Sequence, residues 1–294
     1  MVPLIKGHFF MTAAMFTFGL LIYFSFPVLS TTQDRIGSLR SMVETEFAFA
    51  ARSVEKGTQT AFLDFLADNS VMFRPGPVNG KESFIKRPAA PGILTWGPTK
   101  AYTAIAGDLG YTIGPWEYRR KSLTDSAVAW GNFVTIWRYQ SDGNWKVEVD
   151  IGISHPDEKQ KTQYLDTASL EEGKKNLRSI SVKQTGELES ELGKRDAAPF
   201  EGSLDETITI FREGSFPLSG EAARHRAVEE SENYLCVPLS VRVSASGEFG
   251  YSYGEYLFRK SEKGVYLHVW KKNETGVWNL LIDITNPYPA ESAK

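Results

Sequence analysis

Asp108-Leu109-Gly110-Tyr111-Thr112-Ile113-Gly114 and Glu248-Phe249-Gly250-Tyr251-Ser252-Tyr253-Gly254 are two versions of one pattern: an acid, a large apolar residue, Gly-Tyr, a hydroxyl residue, an apolar or aromatic residue, and glycine. Working outward, Arg119 falls on Arg259. Trp137, Gly143, Trp145, Asp150 and Pro156 fall on Trp270, Gly276, Trp278, Asp283 and Pro289, and upstream Phe73-Arg74 falls on Phe211-Arg212, with Gly80 on Gly220. Three collinear blocks at near-constant offset are the mark of a duplicated unit. They place one unit at residues 36–156 and a second, divergent one at 169–289, joined by a polar linker at 157–168.

Within the first unit, Leu39, Val43, Phe47, Ala50 and Val54 recur at three- and four-residue steps, which predicts an amphipathic helix with one buried face. Gly57 breaks it, and Thr58 is placed to cap a second helix carrying Phe62, Phe65 and Leu66. Extended segments follow at 71–73, 112–119, 127–139 and 145–153, the last two joined through the turn residues Ser141-Asp142-Gly143-Asn144. Alternation puts Trp145, Val147, Val149, Ile151 and Ile153 on one face, and Lys146, Glu148 and Asp150 on the other. Trp278, Leu280, Ile282 and Ile284 repeat the scheme. Helices followed by antiparallel strands give an α+β fold. The stretch from Leu170 to Pro199 is rich in charge, and predicts a less regular helical layer in the second unit.

This order of elements, with the Phe73-to-Gly80 stretch, the Asp108-to-Arg119 strand and the Trp145-to-Pro156 strand, resembles the nuclear-transport-factor-2-like superfold. That superfold includes SnoaL-like cyclases, ketosteroid isomerases and a secreted subgroup without assigned function. The resemblance covers nearly all of the first unit, and in the second mainly 248–289. It implies two tandem cone-shaped domains, each with helices packed on a curved antiparallel sheet around an apolar cavity. It also implies pairing through the outer sheet faces, which a tandem chain satisfies internally as a monomeric pseudo-dimer. Isomerase chemistry on this scaffold needs a carboxylate base next to the proline of the first strand; here that position holds Arg74, and Arg212 in the second unit, and a guanidinium accepts no proton.

The residues leave three readings open: a non-enzymatic module for a small apolar or carboxylated ligand, an isomerase, cyclase or dehydratase using Asp150, and a scaffold with filled cavities. Arg74 suits a carboxylate or phosphate, and equally an ion pair with Asp150 or Glu117. Asp150 is a candidate base or ligand acceptor, with a solvated or paired strand residue as the alternative. His155 is a candidate acid–base partner, although the second unit has Tyr288 there. Trp116, Tyr118 and Trp137 either line the cavity or fill the core.

Other classes fail on composition. The net charge of −3 lacks the basic footprint of a nucleic-acid binder. Four scattered histidines and one cysteine offer no metal spacing, and no cofactor motif occurs. Gly76-to-Lys81 is too short for a phosphate loop and is flanked by prolines. The single Cys236 forms no internal disulfide. Behind Lys6, the apolar run Phe9–Leu29 predicts export to the periplasm or the medium, with cleavage after Ser30 as a signal peptide. Left uncleaved, the same run is long enough to anchor the chain, which would then meet a membrane only through this segment.

Overall fold

In the computed structural model, which describes residues 31–89, 91–157, 162–170, 180–200 and 203–289, the chain opens with a long helix, α1 (Thr31–Lys56). The expected signal or anchor over 1–30 lies outside the described residues. The buried face of α1 is Met42, Glu46, Phe49 and Ser53, flanked by Val43 and Ala50. The stripe read from the sequence is therefore rotated, and Val54 is exposed. Gly57, at φ 85°, turns the chain into α2 (Thr58–Phe65) and is itself the N-cap. Thr58 does not cap the helix: its hydroxyl pairs with that of Ser53 at 3.2 Å.

The first sheet contains β1 (Leu66–Phe73), β2 (Pro77–Asn79), β3 (Ile93–Trp96), β4 (Lys100–Thr103), β5 (Leu109–Arg119), β6 (Ala129–Tyr139) and β7 (Trp145–His155), with a short helix α3 (Gly80–Ile85) after β2. Its order is β2-β1-β7-β6-β5-β3, and β4 also pairs with β5. The second sheet contains β8 (Ser203–Arg212), β9 (Leu218–Ser219), β10 (Tyr234–Val243), β11 (Phe249–Phe258), β12 (Glu262–Lys272) and β13 (Trp278–Pro287), in the order β10-β11-β12-β13-β8-β9. Both sheets are mixed rather than purely antiparallel, because β1 runs parallel to β7 and β8 parallel to β13. The chain between each parallel pair supplies the crossover that such pairing requires.

Of the charged stretch expected to be less regular, residues 171–179 lie outside the described residues, and the rest contains a regular helix. α4 (Val182–Asp196) starts in a reciprocal capping box between Ser181 and Gln184, and buries Leu192 and Asp196. The capping box and the Leu188/Leu192 pair outweigh the high charge, of which Lys183, Glu187, Glu191 and Lys194 are exposed and Asp196 is buried and bonded. α5 (Glu221–Glu230) follows Gly220.

A bulge bends each sheet at the same place. Ile136 faces Val149 and Trp137 faces Val147, so Glu148 has no partner of its own on β6; Leu281 is displaced likewise opposite Val269 and Trp270. An extra residue reverses the alternation. Trp145 and Val147 consequently pack with the helices, whereas Val149, Ile151 and Ile153 pack on the opposite side, so the single apolar face expected for β7 is split in two.

That opposite side is shared. Val134, Ile136, Val149 and Ile151 of the first sheet form one continuous core with Phe249, Val265, Leu267 and Ile282 of the second. Polar bonds tie its edges: Asp108 accepts from the Ala245 amide (2.9 Å), Glu248 accepts from the Ile105 amide (2.6 Å), and the Tyr251 hydroxyl donates to Glu148 (2.7 Å). Asp108 and Glu248 are the first residues of the two heptapeptides, and each satisfies a backbone donor in the turn before the other.

Candidate functional site

The helix-side face of the first sheet carries a cavity of about 240 Å³. Phe49 from α1, Phe62 from α2, Leu94 and Trp96 from β3, Trp116 from β5 and Phe133 from β6 give it apolar walls. The rings support one another, with Phe49 meeting Phe62 and Trp96 at 4.8 Å between centroids, both edge-on. The cavity opens to solvent on one side, and its aromatic walls suit a flat apolar group.

Its polar groups come from four places. Arg74 follows β1 directly, ahead of a cis bond to Pro75. Asp150 sits on β7, between Met72 of β1 and Thr135 of β6. Thr135 donates to Asp150 Oδ2 at 2.7 Å. Asn286 reaches in from β13 of the second unit, its amide donating to the Gly152 carbonyl at 3.0 Å.

Among the described residues, no salt bridge joins Arg74 to Asp150 or to Glu117. Arg74 approaches its neighbour's carbonyl, Phe73 O, at 3.4 Å and lies 5.9 Å from the Phe84 ring centroid. Burial and the nearby Arg87 pull its guanidinium below the ordinary value, with Asp150 partly opposing them. Burial pushes the Asp150 carboxyl up to about 6, against the Thr135 bond and the Arg74 charge. A cation and a carboxyl thus face the same apolar space without satisfying each other.

Behind the wall lies Glu46, which the sequence reading missed because it falls off the stripe drawn through Val43 and Phe47. It is fully buried and accepts from Trp96 Nε1 (2.6 Å), Thr112 Oγ1 (2.5 Å) and Trp137 Nε1 (3.2 Å). Burial pushes its carboxyl up to about 7, the Thr112 and Trp96 bonds pull it back, and the Asp150 charge raises it further. The spacing Met42, Glu46, Phe49, Ser53 was the signal that could have found it. Nothing local marked Asn286, which reaches the cavity only through the packing of the two sheets.

Three of the sequence candidates, Arg74, Trp116 and Asp150, line the cavity, and three stand elsewhere. Trp137 is fully buried in the helix-side core, bonded to Glu46 and Thr112. Tyr118 packs against Gly92, where an added Cβ would stand 2.0 Å from its hydroxyl. His155 is five residues along β7 from Asp150, about 16 Å at the strand rise. Its Nε2 lies 2.7 Å from Asn132 Oδ1 and its Nδ1 2.7 Å from the Pro156 carbonyl, so it does not partner Asp150. Nor is it a surface residue, for the ring is buried against Phe216. Among the described residues, no three His, Cys, Asp or Glu side chains gather as metal ligands.

In the second sheet the equivalent polar groups pair with one another, beside a cavity of about 240 Å³ bordered by Ile210, Arg212 and Arg226. Ile210 faces Asp283 as Met72 faces Asp150, which sets Arg212 where Arg74 stands, and His268 replaces Thr135 opposite the aspartate. Arg212 Nη2 lies 2.5 Å from Asp283 and 2.8 Å from Glu230, which also binds Arg226. The imidazole bridges Asp283 (Nε2, 3.3 Å) and Asp196 (Nδ1, 2.7 Å), and Asp196 also accepts from Tyr266 and Ser252, each at 2.5 Å. The carboxylates push His268 up to about 9, while Arg212 and His268 hold Asp283 down near 2. Three cations and three carboxylates close this site on itself, whereas the short Thr135 and the missing counterpart of Glu230 leave the first one open.

Fold and site together define an α+β protein of two sheet-and-helix units, one in which the arginine and aspartate of the site are unpaired and one in which they are bonded to each other. No protein-family model matches the chain, and no curated protein matches it either. Solved structures resemble one half of it. LinA is 13% identical, covers 42% of this chain and 90% of its own, with a TM-score of 0.33. An NTF2-like protein with a cystatin-like fold from Novosphingobium aromaticivorans is 11% identical over 40% and 81%, at 0.33. The Delta 5-3-ketosteroid isomerase from Mycobacterium sp. is 19% identical over 38% and 92%, at 0.29. At such TM-scores these likenesses carry no argument about what the pocket holds.

Proposed function

We propose that this is an exported small-molecule-binding protein, a single chain in which two related units substitute for a dimer, and that the first unit's pocket holds a small, largely apolar molecule bearing one acidic group. The observation that carries this reading is Arg74: an exposed arginine that borders an aromatic-walled cavity and has no carboxylate partner among the described residues is placed to bond an anionic ligand. Export rests on the apolar run behind Lys6.

Native mass spectrometry of the protein purified from its own host tests all three parts. A single chain starting near Thr31, with one added small mass lost in Arg74→Met, is the expected result. A stable two-chain assembly or a ligand retained equally by Arg74→Met would remove the corresponding part, and a full-length mass would mean that the run at 9–29 is an uncleaved anchor.

Asp150 favours a second reading. A carboxyl titrating near 6 inside an apolar pocket is suited to take a proton from a bound molecule at neutral pH. Exchange of carbon-bound hydrogen in a bound arylacetic acid, followed by NMR in D2O and abolished in Asp150→Asn, would support catalysis. Binding without exchange leaves the pocket a receptor.

A further inference from the structure

The polar geometry of the pocket narrows the acidic group further, resting on the reading that Arg74 receives it. Asp150 and Arg74 line the same cavity, no salt bridge spans them, and each has incomplete bonding: Asp150 holds Thr135 on Oδ2, and Arg74 only its neighbouring carbonyl and a ring face. In the second unit the corresponding pair is closed at 2.5 Å. The open gap is therefore a place for a group that bonds to both a guanidinium and a carboxyl.

Charge decides what that group must be. Facing Asp150 are Glu46 behind the α1 wall and Arg74 after β1, with Arg87 beyond Arg74; Thr135 on β6, Met72 on β1 and Asn286 on β13 bring no charge. An incoming carboxylate neutralises Arg74 but then meets Asp150 on the wall of the same aromatic-lined cavity, where two carboxylates at close quarters do not both stay ionised. A proton shared between them turns the repulsion into an O–H···O⁻ bond.

We infer that the pocket recognises a small monocarboxylic acid whose carboxylate bonds to Arg74 and shares a proton with Asp150, so that each binding event takes up one proton from solution. The proton comes from solvent and returns to it on release, and no covalent bond changes. The carboxyl group then makes an Arg–acid–Asp bridge, and the apolar remainder lies among Phe62, Trp96 and Trp116.

Isothermal titration of the full chain with phenylacetate at pH 7.5, in phosphate and in Tris, tests it. The observed heat should vary with the buffer's ionisation enthalpy with a slope near one proton taken up. The slope should fall toward zero at pH 5, where Asp150 is already protonated, and affinity should weaken about tenfold per pH unit above 7. Asp150→Asn should bind phenylacetate with no uptake, and neutral phenylacetamide should bind the native protein with none. Binding without proton uptake, or uptake that persists in Asp150→Asn, overturns the shared proton while leaving the Arg74 reading intact. Absence of phenylacetate binding across the pH range overturns both.

Discussion

Arg212 holds Asp283 at 2.5 Å, while Arg74 and Asp150, at the same register of the other sheet, are joined by no salt bridge. Two aspartates in matching positions therefore have opposite thermodynamic roles. Asp283 is held near 2, below its ordinary 3.8, so its stabilisation is full at neutral pH and is lost as pH falls from about 4 through 2. Asp150 is raised from 3.8 to about 6, so its ionisation costs stability as pH rises from about 4 to 6. Asp283→Asn should destabilise at pH 7.5 by ~3–5 kcal/mol, because Arg212 and His268 lose a buried counter-charge. Asp150→Asn should stabilise by about 3 kcal/mol at pH 7.5 and be neutral below pH 4. Urea unfolding at the two pH values checks both signs, and an Asp150→Asn protein weakened at pH 7.5 would mean that Asp150 is paired in solution.

Glu46 ties the cavity wall to the sheet. Glu46→Leu leaves the Trp96 indole N–H and the Thr112 hydroxyl without their acceptor, while Trp137 keeps its bond to Thr112 Oγ1, at ~1–3 kcal/mol for each donor stranded from water. Glu46→Gln keeps one acceptor oxygen and should cost less. Because the native carboxyl is raised from 4.5 to about 7, the native protein should lose stability as pH rises through that window, and Glu46→Gln should flatten the loss. Denaturant titrations from pH 4 to 8, read by tryptophan fluorescence, distinguish the two variants. Equal losses in both would show that the wall does not depend on the acceptor.

The hairpins were legible because they rest on local rules: Gly143 and Gly276 adopt φ 82° and 81° in the turns, and Trp145 and Trp278 open apolar-alternating strands. Arg74, Trp116 and Asp150 could be placed near a pocket because their elements were recognisable. What failed was non-local. The bulge at Glu148 reverses a face that period-two reading carries straight through. Glu46 is defined by donors on β3, β5 and β6, none near it in sequence. His268 was one scattered histidine until the fold placed Asp196 and Asp283 on either side of it.

Phe249 is fully buried at the joint of the two sheets, 5.3 Å from the Tyr102 ring and 6.2 Å from that of Tyr111. Phe249→Ala should cost ~3–5 kcal/mol. Since the core is continuous, the loss should appear as a lower midpoint of one transition seen equally by circular dichroism and fluorescence. A variant that unfolds in two separated steps would show that the units hold their structure independently.

His268 gives the sharpest pH test. Its value rises from 6.5 to about 9, because Asp196 and Asp283 outweigh the desolvation of the buried ring. A raised histidine stabilises the fold fully below its unfolded value, and that stabilisation disappears as pH climbs through the folded one. The native protein should therefore lose about 3 kcal/mol between pH 6.5 and 9 through this residue. His268→Gln, which cannot carry the charge, should be weaker at pH 6.5 and show no such decline. The imidazole C–H proton resonances should titrate near 9 in the folded protein. A midpoint near 6.5 would mean that the second site is not closed on a charged histidine, and would reopen it as a second pocket.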